Sequence, residues 1–337
     1  MATMEIAVEI GTGYTSIYAM GNGVVLREPT VIAFIGDPKN KKVHAVGAEA
    51  EKMFGKTPER TNLVYPVVDG VIADADACAL LLKEFVKKIL PESYIFTPKI
   101  KAIVAIPTGL TLDERATYEE VCAFAGIGEV TMIDGIILSG VGLDLPIALA
   151  GGRVVVNIGA GVTEIAAMSL AGVVSGCGVT IGGNMMDKAV VDYVSGKYDL
   201  KIGPLTARKI KDSIGSLYEN DMSDMYVMGS DVNTKNTAAD FVTAEDICKV
   251  VKPYYLRIAD AVESIINSCP PEVVGEIHKT GIHVVGGGSR ILGIDKLFSE
   301  RLGVKVYTVE EPELCAINGA GKLLNDKELL KKIFLQK

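Results

Sequence analysis

Two short runs of this sequence pair glycine with threonine at a spacing suited to holding an anion. They are Ile10-Gly11-Thr12-Gly13-Tyr14-Thr15 and Ile158-Gly159-Ala160-Gly161-Val162-Thr163. Backbone N–H groups arrayed around a concave turn bind phosphate without needing a lysine, and glycine lets the chain approach the ligand closely. The hydroxyls of Thr12, Thr15 and Thr163 are available as further donors. The likeness runs past the turns: residues 8–20 align without gaps on residues 156–168, an offset of 148, and eight of the thirteen pairs are identical. Two unrelated glycine turns would be the simpler reading. A match that continues through both flanking apolar runs favours a duplication. Each run then reads as a β-hairpin, and the chain as two homologous domains, each presenting one phosphate hairpin.

A third glycine run, Gly286-Gly287-Gly288-Ser289-Arg290, follows the apolar segment 281–285. Alone it is a strand-to-helix turn; beside the paired hairpins it could let backbone lie flat against a purine. The elements that must carry these loops alternate in type. Residues 100–106 and 154–158 read as buried strands, and 185–198 and 294–302 as helices. Pro107-Thr108-Gly109 turns the chain, and Thr111 with Glu114 three residues on has the spacing of a capping box. Strands alternating with helices indicate α/β layers. Residues 219–243, polar and rich in Asn and Asp, read as loops with a small subdomain.

Composition narrows the functional classes. The 337 residues exceed one core, since single cores stop growing near ~250–300 residues. A formal net charge of -8 without a long basic run argues against nucleic acid, whose binding rests on phosphate neutralisation. The six cysteines are scattered, with no C-x-x-C and no histidine at ligand spacing, so neither a metal cluster nor a disulfide framework is expected. The N-terminus has no signal-peptide pattern, and no apolar run approaches the ~20 residues needed to span a bilayer. A cytoplasmic protein is the expectation.

With these residues in view, the chain resembles the actin, Hsp70 and sugar-kinase superfamily, and within it the MreB family of bacterial cell-shape actins. Residues 23–29, 69–74, Glu164 with its strand, Cys269-Pro270-Pro271-Glu272 and residues 281–288 carry that likeness, which covers nearly the whole chain. The resemblance implies a two-domain α/β fold of actin-like (ribonuclease H-like) type, with four subdomains around a nucleotide cleft. Domain I would hold residues 1–145 and 315–337, with a small subdomain near 30–75. Domain II would hold 146–314, with a small subdomain near 186–245. It also implies ATP with Mg2+ and self-assembly into protofilaments at the inner face of the cell membrane. Thr12-Gly13-Tyr14 and Gly159-Ala160-Gly161-Val162 would contact phosphate. Lys211, with Gly287, Gly288, Ser289 and Arg290, would contact the nucleoside.

The departures bear on chemistry. Glu9 and Asn157, beside the metal and its waters, stand where the family has Asp. Glu9 keeps its charge on a longer arm, and Asn157 loses a carboxylate. The family's Glu-Glu-Pro reads Asp134-Gly135-Ile136 here, so the glutamate that positions the attacking water falls on Gly135. Val162 replaces a threonine, and Asn184 and Arg208 stand where acids are usual; Arg208 either helps bind nucleotide or is simply solvated. Phosphoryl transfer depends on an in-line water and on stabilising charge. Losing a positioning group costs ~10²-fold or more in rate, unless Asp134, one position off, takes the role. ATP binding with weak hydrolysis is the expectation. A chaperone ATPase or sugar kinase is the alternative; no peptide-binding domain follows the cleft, and no sugar-facing base is identifiable.

Two segments could meet a membrane. In the family, a loop matching residues 91–98 carries an apolar pair that enters the bilayer; here the pair is Ile95 and Phe96, with Lys87, Lys88, Lys99 and Lys101 around it. The alternative is that Phe96 folds back onto its own domain. The tail 327–337 puts Leu329, Leu330, Ile333 and Phe334 on one helical face, with four lysines against Glu328. It suits either a membrane surface or packing on its own domain. Membrane lipid and family paralogues are further candidate partners.

Overall fold

The computed structural model describes residues 3–36, 42–57, 61–90 and 98–335. Chain contacts divide the molecule into two compact units, one of residues 1–150, 168–173 and 314–337, the other of 151–167 and 174–313.

The first unit opens with β1 (Thr3–Ile10), β2 (Tyr14–Ala19) and β3 (Gly23–Pro29), an antiparallel meander. A small sheet follows, with order β5-β4-β6, from β4 (Ile32–Ile35), β5 (Lys42–Val46) and β6 (Thr61–Val64), with α1 (Ala48–Glu51) between the last two in the chain. The two-residue strands β7 (Val67–Val68) and β8 (Val71–Ile72) make a tight hairpin. Then come α2 (Ala75–Ile89), β9 (Lys99–Ile106), α3 (Leu112–Phe124), β10 (Ile127–Asp134) and α4 (Gly135–Gly142). Helix α2 starts where Asp74 accepts the Ala77 N–H at 2.9 Å, and it buries Ala77, Cys78, Leu81, Leu82, Phe85 and Val86 on one face. The capping box at Thr111 and Glu114 is present in both directions, a motif worth about 1 kcal/mol. The large sheet has the order β10-β9-β1-β2-β3, with β9 parallel to both β1 and β10.

The second unit repeats this plan. Its strands are β11 (Arg153–Ile158), β12 (Thr163–Ser169), β13 (Gly172–Val179), β14 (Leu200–Lys201), β15 (Asp224–Asp231), β16 (Thr237–Thr243), β17 (Ile282–Val285) and β18 (Val306–Tyr307). Its helices are α5 (Gly183–Tyr198), α6 (Pro204–Ile214), α7 (Ala244–Asn267), α8 (Pro271–Thr280) and α9 (Ile294–Leu302). The order β13-β12-β11-β17-β18 reproduces β3-β2-β1-β9-β10 strand for strand, again with parallel pairs at β11–β17 and β17–β18. The duplication seen at the hairpins therefore extends over both sheets. The chain ends in α10 (Cys315–Asn325) and α11 (Lys327–Phe334), which belong to the first unit.

Each unit has its own core. One is built on Ile6, Val8, Ile17, Leu81, Phe85, Val104 and Tyr118, the other on Val154, Val156, Val190, Val251, Tyr255, Ile258 and Phe298. The expectation of loops over 219–243 needs correcting. Strands β15 and β16 form an antiparallel hairpin in which Tyr226 faces Phe241, their ring centroids 5.3 Å apart. Only Val227 and Val242 of the two strands are fully buried, so the two-residue periodicity that marks a strand is faint. Among the described residues no group of His, Cys, Asp and Glu is placed to hold a metal ion. All six cysteines are free, with burial pushing the Cys78 and Cys122 thiols up to about 12.

Candidate functional site

In parallel sheets the strand ends at the carboxyl side gather the loops that bind ligands. In the first unit β1, β9 and β10 all run the same way. Glu9 therefore stands opposite Ala105, and Asp134 opposite Ile106, at the same edge of the sheet. The β1–β2 turn closes with the Gly11 N–H donating to Tyr14 O at 3.0 Å. In the second unit the Gly159 N–H donates to Val162 O at 2.9 Å. The two turns are thus the same structure, 148 residues apart.

Around the first turn, the Gly70 N–H donates to Thr12 Oγ1 at 2.9 Å, and the buried Tyr118 hydroxyl holds Gly70 O at 3.3 Å. Asp69 and Gly70 both have positive φ, 48° and 83°, which brings the β7–β8 turn against the hairpin. Tyr14 lies under the Arg27 guanidinium, 4.1 Å from its ring centroid. Asp134 closes β10 as the N-cap residue of α4, its side chain making no cap bond, and Arg115 of α3 reaches it at 3.6 Å. Gly135 is the first residue of α4 and its carbonyl accepts the Ser139 hydroxyl.

The second turn is pinned to the start of α5. The Gly183 N–H donates to Gly159 O at 3.0 Å, and the Asn184 N–H to Ala160 O at 2.8 Å. A Cβ on Gly182 would lie 2.5 Å from Ala160 O, so only glycine permits this approach. Beneath these residues Asp187, 3% exposed, takes Lys211 Nζ at 2.5 Å and Arg208 Nε at 3.4 Å. Lys211 also donates to Gly183 O, and Arg208 Nη2 to Asn184 Oδ1 at 3.4 Å. Arg208 is therefore engaged by neighbours and half-buried, which removes the reading of a merely solvated side chain.

Residues 287–290 form a single 3-10 turn. Its glycines first serve packing: a Cβ on Gly288 would meet Ile158 Cγ2 at 2.3 Å, and one on Gly286 would meet Asn157 Oδ1 at 2.4 Å. The Tyr255 hydroxyl fixes Gly288 O at 2.7 Å, the Ser289 hydroxyl donates back to Gly286 O, and Arg290 is held by Glu313 through two bonds of 2.9 and 2.7 Å.

Two of the expected donors are spent elsewhere. Thr15 is 1% exposed and shares a hydrogen bond with Thr30 at 3.0 Å; Thr163 is fully buried and donates to Ile181 O at 2.6 Å. Both sit one residue past the turn, on the inward face of the second strand, and so serve the core. Thr12 keeps its place in the loop. Sequence reasoning missed Asp187, although a carboxylate inside the apolar stripe of Met186, Val190 and Val194 was a readable signal. It also missed Arg115, for which no local signal exists, and gave Gly70 no role although it lies in the 69–74 run that carries the likeness. Ile95 and Phe96 lie outside the described residues. In the tail, Ile333 is buried against its own unit while Phe334 and Leu335 are 43% and 83% exposed, so α11 packs through Ile333.

The magnesium implied by the resemblance can be tested against the donors present. Asn157 directs its amide nitrogen at Glu164 Oε2, 3.5 Å away, so the strand-end amide is joined to a buried carboxylate. Magnesium takes oxygen ligands, keeps several waters and is bound through one or two carboxylates plus phosphates. Glu9 at the strand end of the first unit, and Glu164 beside Asn157 in the second, are each oxygen donors of the kind the ion takes.

Two units with one five-stranded topology, each opening with a glycine hairpin, define an actin-like fold. The structure superimposes on MreB5 of Spiroplasma citri, solved with AMPPNP and with ADP, at a TM-score of 0.89 and 28% identity, covering 98% of this chain and 99% of that one in the AMPPNP form. It shares its fold with MamK in a double helical filament, at a TM-score of 0.80 and 20% identity over 96% of this chain and 99% of that one. The cell shape-determining protein MreB of Escherichia coli (strain K12) is 35% identical over 329 residues, 96% of this chain and 94% of its own. A model of the MreB/Mbl protein family matches residues 3–332. The chain belongs to the MreB/Mbl family and is a bacterial actin homologue; the chaperone and sugar-kinase alternatives are not favoured.

Proposed function

We propose that this protein binds ATP with Mg2+ through its glycine hairpins, polymerises in response, and hydrolyses the nucleotide slowly. The observation that carries the reading is the duplicated turn, with the same closing hydrogen bond at Gly11 and Gly159. Support comes from the Spiroplasma citri relative, which binds AMPPNP and ADP, and from membership of a family of cell shape-determining proteins. Thr12, Gly13 and Tyr14 in one unit, and Gly159 to Val162 in the other, offer N–H groups to phosphate; Lys211 and the 287–290 turn serve the nucleoside. Glu9 in one unit and Asn157, through water, in the other are the groups offered to the ion, which when bound neutralises phosphate charge. Asp134 and Gly135 leave the attacking water without the usual glutamate. A filament of the protein itself, at the inner face of the membrane, is the assembly we assign.

Calorimetry with purified protein tests the first step: saturable uptake of ATP in magnesium buffer is expected, and a flat trace refutes the reading. Light scattering and electron microscopy test the second, with ATP-dependent filaments expected. Material that stays monomeric at saturating ATP would refute assembly while leaving nucleotide binding in place.

A further inference from the structure

We propose that the groove between α11 and the large sheet of the first unit binds a small acyl anion, a hydrocarbon chain carrying a carboxylate, taken up from water. The site stands apart from the glycine hairpins and does not rest on the nucleotide reading.

The β1–β2 hairpin and Asp134 sit at the carboxyl ends of β1 and β10, whereas the groove lies towards the opposite ends of the same strands. Glu5 of β1 and Glu129 of β10 both stand opposite Lys101 of β9, and Thr131 stands opposite Ile103. Residues two apart in a strand share a face, so a charged row on this face is followed by an apolar one. Leu323 and Leu324, buried at the end of α10, line the groove beside Ile103. The chain then leaves helical geometry at Asp326, with φ -108° and ψ 79°, before α11 begins. Helix α11 buries Ile333 but leaves Leu330 half-exposed. Between Leu330 and the sheet a cavity of about 300 Å³ remains. Ligand pockets run from ~300 to 1,000 Å³, apolar with a few polar groups at defined points. The occupant is therefore small.

The rim decides the sign of its charge. On the sheet side the charges answer one another. Lys101 and Lys99 bond Glu129 at 2.6 and 2.5 Å and hold its carboxyl down to about 2, and Glu5 acts on Lys101 as well. On the helix side Lys327 and Lys331 stand one turn apart on α11 and line the same groove. Lys331 meets Glu328 at 3.2 Å, but the two side chains are 72% and 81% exposed, and a surface pair of this kind contributes little. Three lysines and two glutamates line the groove, and the surplus positive charge stands on α11. A carboxylate at Lys327 and Lys331, with its chain laid along Ile103, Leu323 and Leu330, satisfies both parts of the lining.

The test is isothermal titration calorimetry of the full chain with hexanoate, octanoate and decanoate, kept below micelle formation. Uptake should saturate at one site. Each fully buried methylene is worth roughly fourfold in affinity, so decanoate should bind at least about tenfold more tightly than hexanoate. Decyltrimethylammonium, with the same chain and the opposite charge, should bind at least tenfold more weakly than decanoate. Lys327 and Lys331 are exposed, so Lys327→Glu/Lys331→Glu should fold and reverse that preference. Lys327→Gln/Lys331→Gln should abolish the preference without reversing it, and serves if circular dichroism finds the first variant unfolded. Methyl resonances shifted by decanoate should centre on Ile103, Leu323, Leu324 and Leu330. A flat decanoate titration, equal affinity for the two head groups, an unchanged preference in the folded variants, or shifts centred elsewhere overturns the inference. None of these results bears on ATP uptake, so the nucleotide reading stands or falls separately.

Discussion

Gly135 occupies the first position of α4, directly after an aspartate that closes β10. A glutamate there would extend from the same strand end that carries Asp134, and acidic residues are tolerated in a first helical turn because the N–H groups are unpaired. Gly135→Glu should therefore raise ATP turnover by roughly tenfold or more, measured as phosphate release at saturating ATP. An unchanged rate would mean that Asp134 already positions the water or that the slow step lies elsewhere. Asp134 is not idle in the structure, since Arg115 holds it at 3.6 Å. The expected departures at 9, 135, 157 and 162 come from the likeness to the family's motifs, not from any spacing within the chain. The spending of Thr15 and Thr163 on core contacts was not legible, because a hydroxyl's partner depends on which face of the sheet it meets.

Helices α4 and α10 approach through glycine. A Cβ on Gly319 would lie 1.9 Å from Leu138 O, and one on Gly142 would lie 2.0 Å from Cys315 O. Lys322 adds a bond of 2.9 Å to Gly142 O, closing the carboxyl end of α4. Gly319→Ala must push backbone apart, and overpacking of this kind costs about 1–3 kcal/mol or more, visible as a lower urea midpoint. A second joint links α5 to α7. Asp246, 1% exposed, accepts from Tyr193 at 2.9 Å and also binds Tyr198 and Lys197. Burial alone would raise this carboxyl, but the bonds from Lys197, Tyr198, Tyr193 and Thr243 outweigh it and hold it well below the usual range. A depressed folded value contributes stability that is complete above the unfolded value of ~3.9. That contribution is lost as pH falls from there towards the folded value. Asp246→Asn should cost roughly 2–4 kcal/mol at pH 7, with the gap from wild type steady down to about pH 5 and narrowing below about pH 4.

At the scale of the whole molecule, each unit has a core of its own. A ligand that binds only the native state adds stability by mass action, about 2.7 kcal/mol at a hundred times its Kd. Saturating ATP should thus raise the melting temperature by several degrees in differential scanning calorimetry. No shift at a concentration shown to saturate would mean that the nucleotide binds unfolded chain equally well. No helix among the described residues is long and apolar enough to cross a membrane. Phe334 and Leu335 are exposed at the end of α11.

The sequence alone determined the duplication, because hydrogen-bonding turns need glycine at fixed places and buried strands need unbroken apolar runs. Those demands are local, and they survive in the letters at residues 8–20 and 156–168. The same locality made the capping box at Thr111 and the helix at 294–302 readable. Only the tertiary structure decided where charges end up. The pairing of Lys211 and Arg208 with Asp187 joins residues on two helices, and the docking of Gly70 on Thr12 closes a gap of 58 residues. Neither contact leaves a periodic trace in the chain. The β15–β16 hairpin hid for a related reason: most of its side chains face solvent, and an exposed strand is free to be polar on both faces. What burial constrains can be read in sequence; what only meets through folding cannot.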